Sequence, residues 1–324
     1  MGKSFLKQLI IRGLHYYRNF DFEFQNFVTV LVGENGVGKT TVMNILYALI
    51  RGRWKFLSNV GFDYIEIHFT NGKTIAFSHA ELEAFLMMKF LNEKEMYVNK
   101  ITIEQLNIND KTLKAAVVKF HDFNLIIRES ISDPVLYLPS FRSIRDSLQF
   151  IGRTLEPPKN ENQDESDTNE FQNIEEEILI PIEMNYLNHP IARGVDQGQI
   201  EKFTIVCNEY LQNIKLFVKS RRITPINKMS GEIITFDQLS SGEKQIIYIF
   251  SHVYLIHKRN VIILFDEPEL SLSLTWQRRI LPDIVNSGRC SFLLAITHSP
   301  FVFDNELEKY AQGINISFKD YGVN

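Results

Sequence analysis

Residues 33–40 read Gly33-Glu34-Asn35-Gly36-Val37-Gly38-Lys39-Thr40, which satisfies the spacing G-x-x-x-x-G-K-[ST]. Residues of these types are suited to holding phosphate. Glycines let the backbone turn until consecutive N–H groups face one anion, and a helix starting there adds the positive end of its dipole. Lys39 brings a point charge to the β- and γ-phosphates of a nucleotide, and the Thr40 hydroxyl is a ligand for Mg²⁺. A second cluster follows the apolar run 261–265 (VIILF), which ends in Asp266 and Glu267. Such a pair, at the carboxyl edge of an open α/β sheet, stands where ligands bind. Asp266 then holds Mg²⁺ through water, and Glu267 orients or deprotonates the attacking water. The alternative is a plain acidic connection between a strand and the next helix; the phosphate loop favours the chemical reading.

Two further features are ambiguous on residue type alone. Leu239-Ser240-Ser241-Gly242-Glu243-Lys244-Gln245 precedes an apolar-striped helix, so it reads either as a serine cap or as a second ligand-contacting turn. His298 follows the apolar run 291–296 (SFLLAI) and is either a site residue or a satisfied histidine at a strand end.

These groups work only if particular elements carry them. Residues 27–32 (FVTVLV) form a short, nearly unbroken apolar run, the pattern of a central strand covered on both faces. A helical pattern follows over 39–49, which completes the strand, glycine loop and helix that the phosphate pattern requires. Strands are expected at 5–13 and 20–24, and a hairpin at 64–69 and 74–77 turns on Asn71-Gly72. A helix is expected over 81–92, a mixed region with at least one further strand over 101–127, and a strand over 135–139. Residues 200–218 have helical apolar spacing, and 233–236 read as a short strand. The last third gives a helix at 241–256, a strand at 261–265, a helix at 274–285, a strand at 291–296 and a closing edge strand at 314–318. Residues 156–177 are crowded with acids and nearly devoid of apolar side chains, the composition of a solvated loop. Three segments result: an N-terminal lobe over 1–80, an inserted helical and acidic-loop region over 81–234, and a C-terminal lobe over 235–324.

The chain has 324 residues, 44% of them hydrophobic and 23% charged, which excludes disordered, collagen-like and disulfide-rich classes. Its net charge of −4 argues against a protein that coats nucleic acid, while leaving room for a local basic patch. Cys207 and Cys290 are far apart, lack metal-ligand spacing and read as reduced core thiols. Lys3, Lys7 and Arg12 interrupt the N-terminus, so no signal-peptide core is present. No apolar run approaches the roughly 18–20 residues that span a bilayer. A soluble, cytoplasmic chain with no membrane partner is expected.

The order of the four motifs resembles the ABC-type ATPase head, over most of residues 5–50, 135–155 and 235–320. That resemblance implies an α/β P-loop NTPase fold with a mixed central sheet, flanking helices and an inserted helical and loop region. It implies ATP and Mg²⁺ as cofactors, ATP hydrolysis, and two heads that clamp two nucleotides between one phosphate loop and the partner's serine-glycine turn. By position, Gly33, Asn35, Gly36, Gly38, Lys39, Thr40 and Thr41 bind phosphates and Mg²⁺, with Lys39 also catalytic. Ser240, Ser241 and Gly242 contact the γ-phosphate held by the partner subunit. Asp266 is the metal carboxylate, Glu267 the catalytic base and His298 the γ-phosphate switch.

The branch narrows further. Transporter subunits typically read LSGGQ before an arginine-rich helix, whereas here Glu243 is followed by KQIIYIFSHV, similar to the SMC, RecF and OLD-like branch. Asn35 agrees, as does 11–24 (IRGLHYYRNFDFEF), in which Arg18 matches a basic residue that reaches the bound nucleotide. No long coiled-coil arm is present. Residues 137–144 (YLPSFRSI), 265–277 (FDEPELSLSLTWQ) and 297–311 (THSPFVFDNELEKYA) resemble compact AAA-domain ATPases of anti-phage defence, Septu (PtuA-like) and retron-associated. This implies a homodimer or higher homo-oligomer through the nucleotide site, and a separate nuclease as effector. Relatives often carry a histidine where 270–277 reads LSLSLTWQ, and residues 271–274 are expected to serve as the dimer-contact loop. No magnesium-sensing glutamine is obvious; Gln149 is the candidate, with Arg142 and Arg145 nearby. No nuclease domain of the OLD type is expected after the last strand. The competing reading is a RecF- or SMC-like repair ATPase that grips nucleic acid through Lys219, Arg221 and Arg222, or through Arg51, Arg53 and Lys55. A transporter ATPase is disfavoured by the Glu243 turn, and a kinase has no use for it.

Overall fold

The computed structural model describes residues 5–24, 26–34, 36–93, 110–140, 196–219, 222–235, 238–256, 260–314 and 316–318. In chain order the elements are β1 (Leu6–Leu14), β2 (Arg18–Glu23), β3 (Val28–Val32), α1 (Lys39–Ile50), α2 (Trp54–Ser58), β4 (Tyr64–Phe69), β5 (Thr74–Ser78), α3 (His79–Glu93) and α4 (Asp110–Ser130). Then follow β6 (Val135–Leu138), α5 (Gln197–Tyr210), β7 (Ile214–Lys219), β8 (Arg222–Asn227), α6 (Ser241–Ser251), β9 (Val261–Asp266), α7 (Leu274–Asn286), β10 (Cys290–Thr297), β11 (Ala311–Gly313) and β12 (Ile316–Phe318). The chain forms two compact units, one of residues 1–133 with 310–324 and one of residues 134–309.

In the first unit an antiparallel sheet runs in the order β12-β2-β1-β4-β5. The alternation of β1 is weak in sequence because its pairing with β4 shifts between Leu6 and Gln8, which turns both Leu6 and Leu9 inward. β4 and β5 alternate cleanly, burying Ile65, Ile67, Phe69, Ile75 and Phe77 about a turn in which Gly72 takes a φ of 85°. Against this face packs an aromatic cluster. Phe120 of α4 lies 5.0 Å from Trp54, 5.2 Å from Phe77 and 4.6 Å from Phe85, ring centre to ring centre. The Trp54 indole N–H donates to the Asn124 side chain at 3.1 Å, so this buried ring keeps a polar partner. β3 pairs in parallel with β11, Val30 opposite Ala311. Its residues Val28 to Leu31 are all buried, as the unbroken apolar run predicts.

In the second unit β6 and β10 flank β9 in parallel, with Leu136 opposite Ile263 and Leu294 opposite Leu264. All six residues of β9 are buried. α6 buries Ile246, Ile247, Ile249 and Phe250 and continues into a π-helical turn over His252–Ile256, so the long helix expected here is present with a wider last turn. β7 and β8 form a separate antiparallel hairpin.

Three expectations are corrected. Residues 110–130 are one helix, not a mixed region with a strand; residues 101–109 lie outside the described set. Leu113, Ala116, Phe120, Phe123 and Ile127 recur at helical spacing and are buried, while Val118 and Leu125 face outward. The β-branched pairs within the segment disguise that period. The helical pattern over 200–218 stops at Tyr210, because 214–219 alternates as a strand and pairs with β8. The strand expected at 233–236 is a single bridge from Ile233 to Ile226, with 236–237 outside the described residues.

Candidate functional site

The phosphate loop belongs to the first unit, between β3 and α1. Gly36 and Gly38 adopt φ values of 77° and 96°, left-handed conformations that L side chains resist. A β-carbon on Gly38 would meet the Phe20 ring at 3.5 Å and an Arg18 nitrogen at 3.6 Å, ordinary contact distances, so it is the dihedral that demands glycine there. α1 starts on Gly38 with no acidic side chain in its first turn, which leaves the positive end of its dipole available to an anion. Lys39 is 6% exposed, and its ammonium donates to the carbonyls of Gly33 at 2.8 Å and Glu34 at 2.6 Å. The cation is thus drawn back across its own loop. Thr40 is exposed and Thr41 half-buried on the same turn. Arg18 donates to the Gly36 carbonyl at 2.7 Å while its guanidinium lies 4.9 Å over the Tyr17 ring. The side chain assigned from family likeness therefore touches the phosphate loop. Asn35 lies outside the described residues.

The remaining motifs belong to the second unit. Asp266 closes β9 and is 1% exposed. Glu267 follows with a φ of 51°, a conformation a non-glycine residue holds only when its surroundings enforce it. Its backbone N–H donates to the Ile296 carbonyl of β10 at 2.8 Å. That bond ties the turn after one strand to the next, and the Glu267 carboxylate comes within 3.6 Å of His298 Nε2, both side chains part-buried. The structure thus brings the proposed base and switch residue together.

The serine-glycine turn does what a cap does. Ser240 Oγ accepts from the Glu243 N–H at 3.3 Å, and the Glu243 carboxylate accepts from the Ser240 N–H at 2.8 Å, a complete capping box. Ser241 stays exposed, and Gly242 is buried against Ser271 and Trp276. One residue escaped the sequence reading: Glu269, whose carboxylate reaches the backbone of His298. The acid two positions after Glu267 was the available signal.

Among the described residues no three His, Cys, Asp or Glu side chains gather into a metal cage. The Thr40 hydroxyl in the first unit and the Asp266 carboxylate in the second are each hard oxygen donors of the kind that suit Mg²⁺. The left-handed glycine loop fits the phosphates of a nucleotide. Of the two basic clusters, Arg53 lies 5.0 Å over the Tyr47 ring. The side chains of Lys219 and Arg222, and all of Arg221, Arg142, Arg145, Gln149 and 156–177, lie outside the described residues. No described helix is long and apolar enough to cross a membrane.

Residues 28–304 match a family described as "AAA domain, putative AbiEii toxin, Type IV TA system". No curated protein matches the chain. Among solved structures, one titled "Crystal structure of the SmcHead bound to the C-winged helix domain of ScpA" is similar at 13% identity, over 98% of each chain, with a TM-score of 0.45. The fold is that of a P-loop NTPase, α/β with parallel strands flanked by helices, and with its family model matched over most of its length the chain belongs to this AAA-domain family.

Proposed function

We propose that the protein is an ATPase that closes into a nucleotide-sandwich dimer and, through that cycle, regulates a separate nuclease effector in anti-phage defence. The observation that carries the reading is the Glu267–His298 pair, held at the end of a wholly buried strand by a left-handed backbone turn. A base and a charge sensor kept in register at 3.6 Å suit in-line attack of water on a γ-phosphoryl group. The phosphate loop supports the nucleotide side. Main-chain N–H groups at the start of α1, Lys39 and Arg18 bind and neutralise phosphate. Thr40 and Asp266 would hold Mg²⁺, which when bound screens the charge of the phosphate oxygens. Glu267 orients the water and accepts its proton, and His298 stabilises charge on the γ-phosphate.

The serine-glycine turn supports the dimer. Ser240 is engaged in its own helix cap, so Ser241, exposed beside it, and the N-terminal end of α6 are the groups left to meet a partner's γ-phosphate. A family description that names a toxin of a toxin–antitoxin system supports a role in a two-component defence module.

The test is the solution mass of the Glu267→Gln protein by light scattering, with and without ATP and Mg²⁺. The expected result is a doubling with nucleotide that Ser241→Arg abolishes. A mass unaffected by ATP in both proteins would overturn nucleotide-dependent dimerisation.

A further inference from the structure

Residues 267–273 and 297–299 are loops at the ends of two parallel strands, and the Glu269 carboxylate hydrogen-bonds across them. Glu269 Oε1 accepts from the backbone N–H of His298 at 2.8 Å, and Glu269 Oε2 accepts from the Thr297 hydroxyl at 2.7 Å. Thr297 is fully buried, and its hydroxyl oxygen also accepts from the Ser299 N–H at 3.0 Å. A second side chain closes the arrangement. The Gln277 amide donates to the carbonyls of Glu269 at 3.3 Å and Leu272 at 3.0 Å, and its oxygen accepts from the Ser299 hydroxyl at 2.7 Å. Both donors to the carboxylate are engaged at short distance, and hydrogen bonds to an ionised acceptor are roughly twice as strong as neutral ones.

These bonds have a consequence for the imidazole. His298 stands on a loop just past a strand end, beyond the pairing that restrains the strand's own backbone. Its N–H bond to Glu269 fixes the Cα from which the imidazole extends, and the 3.6 Å separation from Glu267 depends on that Cα. Glu267 is itself anchored to the neighbouring strand through Ile296. The base and the histidine are therefore set in register by backbone bonds, one of which belongs to Glu269.

We infer that Glu269 is a positioning residue for ATP hydrolysis, acting through His298, with Gln277 and Thr297 as its supports. The inference rests on the proposed roles of Glu267 and His298.

Steady-state ATPase kinetics of Glu269→Gln, His298→Ala, Thr297→Val and the Glu269→Gln/His298→Ala double variant test it. An amide in place of the carboxylate keeps the volume but offers one accepting oxygen instead of two. The expected result is a kcat about 10-fold lower with KM for ATP nearly unchanged, since the lost interaction matters in the transition state and not in binding. His298→Ala lowers kcat further, and the double variant hydrolyses ATP no more slowly than His298→Ala alone, because a residue acting through His298 has nothing left to position. Thr297→Val, which removes one of the two bonds, shows the same split in smaller measure and carries the test should Glu269→Gln fold poorly. Defects that multiply in the double variant, or a Glu269→Gln protein with unaltered kcat, overturn the positioning role and leave His298 standing. Full activity in His298→Ala, or no hydrolysis by the unsubstituted chain, overturns the underlying assignment.

Discussion

Gly242 and Ser271 meet so closely that a β-carbon on the glycine would stand 2.5 Å from the serine carbonyl oxygen. The same carbon would lie 3.2 Å from the Trp276 ring. Ser271 itself holds a φ of 61°, so the loop after Glu267 is bent against the start of α6 at a strained residue. The glycine of the serine-glycine turn is thus required by packing within its own chain, whatever it meets in a partner. It also sets the loop that carries Glu267 and Glu269 directly against the turn proposed to contact a second nucleotide.

Gly242→Ala is expected to destabilise the protein by about 1–3 kcal/mol, since backbone must move to admit one methyl group. Ser241→Ala, on an exposed neighbour, should change stability by less than about 0.5 kcal/mol. Denaturant unfolding of the two variants compares them directly. Equal midpoints would show that the Ser271 carbonyl yields without cost.

Lys39 and Arg18 hold the phosphate loop from two sides, one through the Gly33 and Glu34 carbonyls and one through the Gly36 carbonyl. Lys39→Ala removes the buried cation and should lower ATP affinity by at least ~100-fold, the scale of one or two charged hydrogen bonds. Arg18→Ala should cost about 10-fold, as it touches the loop at a more exposed position. Titration with a fluorescent ATP analogue checks both. Arg18→Ala binding as tightly as the unsubstituted chain would confine Arg18 to a loop-bracing role.

The aromatic cluster tests the helix at 110–130. Phe120→Ala should destabilise by about 3–5 kcal/mol, because the ring is fully buried among Trp54, Phe77, Phe85 and Phe123. Val118→Ala, at a position 61% exposed, should cost less than about 0.5 kcal/mol. A strand would put these residues, two apart, on one face and make both substitutions costly. Thermal melts of the two variants decide it.

Both thiols are predicted to be silent in the native protein. Burial raises the Cys207 thiol well above its ordinary range. Cys290 is only part-buried as a residue, yet burial of its sulfur pushes the thiol up to about 12. A rise of about three units above the ordinary value leaves about a thousandth of the usual thiolate at about pH 8, and thiolate is the reactive species. Ellman's reagent should report no thiol in native buffer and both in denaturant. Since both values are raised, the unfolded chain releases thiol protons first as pH rises, and stability contributed by the neutral thiols falls above about pH 9.

Elements whose patterns are complete within a few residues were legible without coordinates. The apolar runs of β3, β9 and β10, the Asn71-Gly72 hairpin, α1, α6 and α7 each carry their own period and boundaries, because local sterics and burial on one or two faces dictate them. The same holds for the phosphate loop, whose glycines encode the dihedrals of residues 36 and 38. Elements defined by a distant partner were not. β8 exists as the complement of β7, and 214–219 leaves the helical pattern only because Arg222–Asn227 lies beside it. α4 hides its period behind valines and isoleucines that its packing overrides.

Among the functional candidates the division is similar. Residue types and spacing were enough to single out Lys39, Thr40, Asp266 and Glu267, because phosphate and metal chemistry requires those groups at those intervals. The 3.6 Å approach of Glu267 to His298, the contact of Arg18 with the loop, the commitment of Ser240 to a cap and the grip of Glu269 on His298 join residues from 3 to 31 positions apart. The contacts of Glu267 and Glu269 with His298 depend on adjacent strand ends and on two left-handed turns, at Glu267 and Ser271, which no local preference would choose. Only packing around a folded strand pair makes such turns the lowest-energy arrangement.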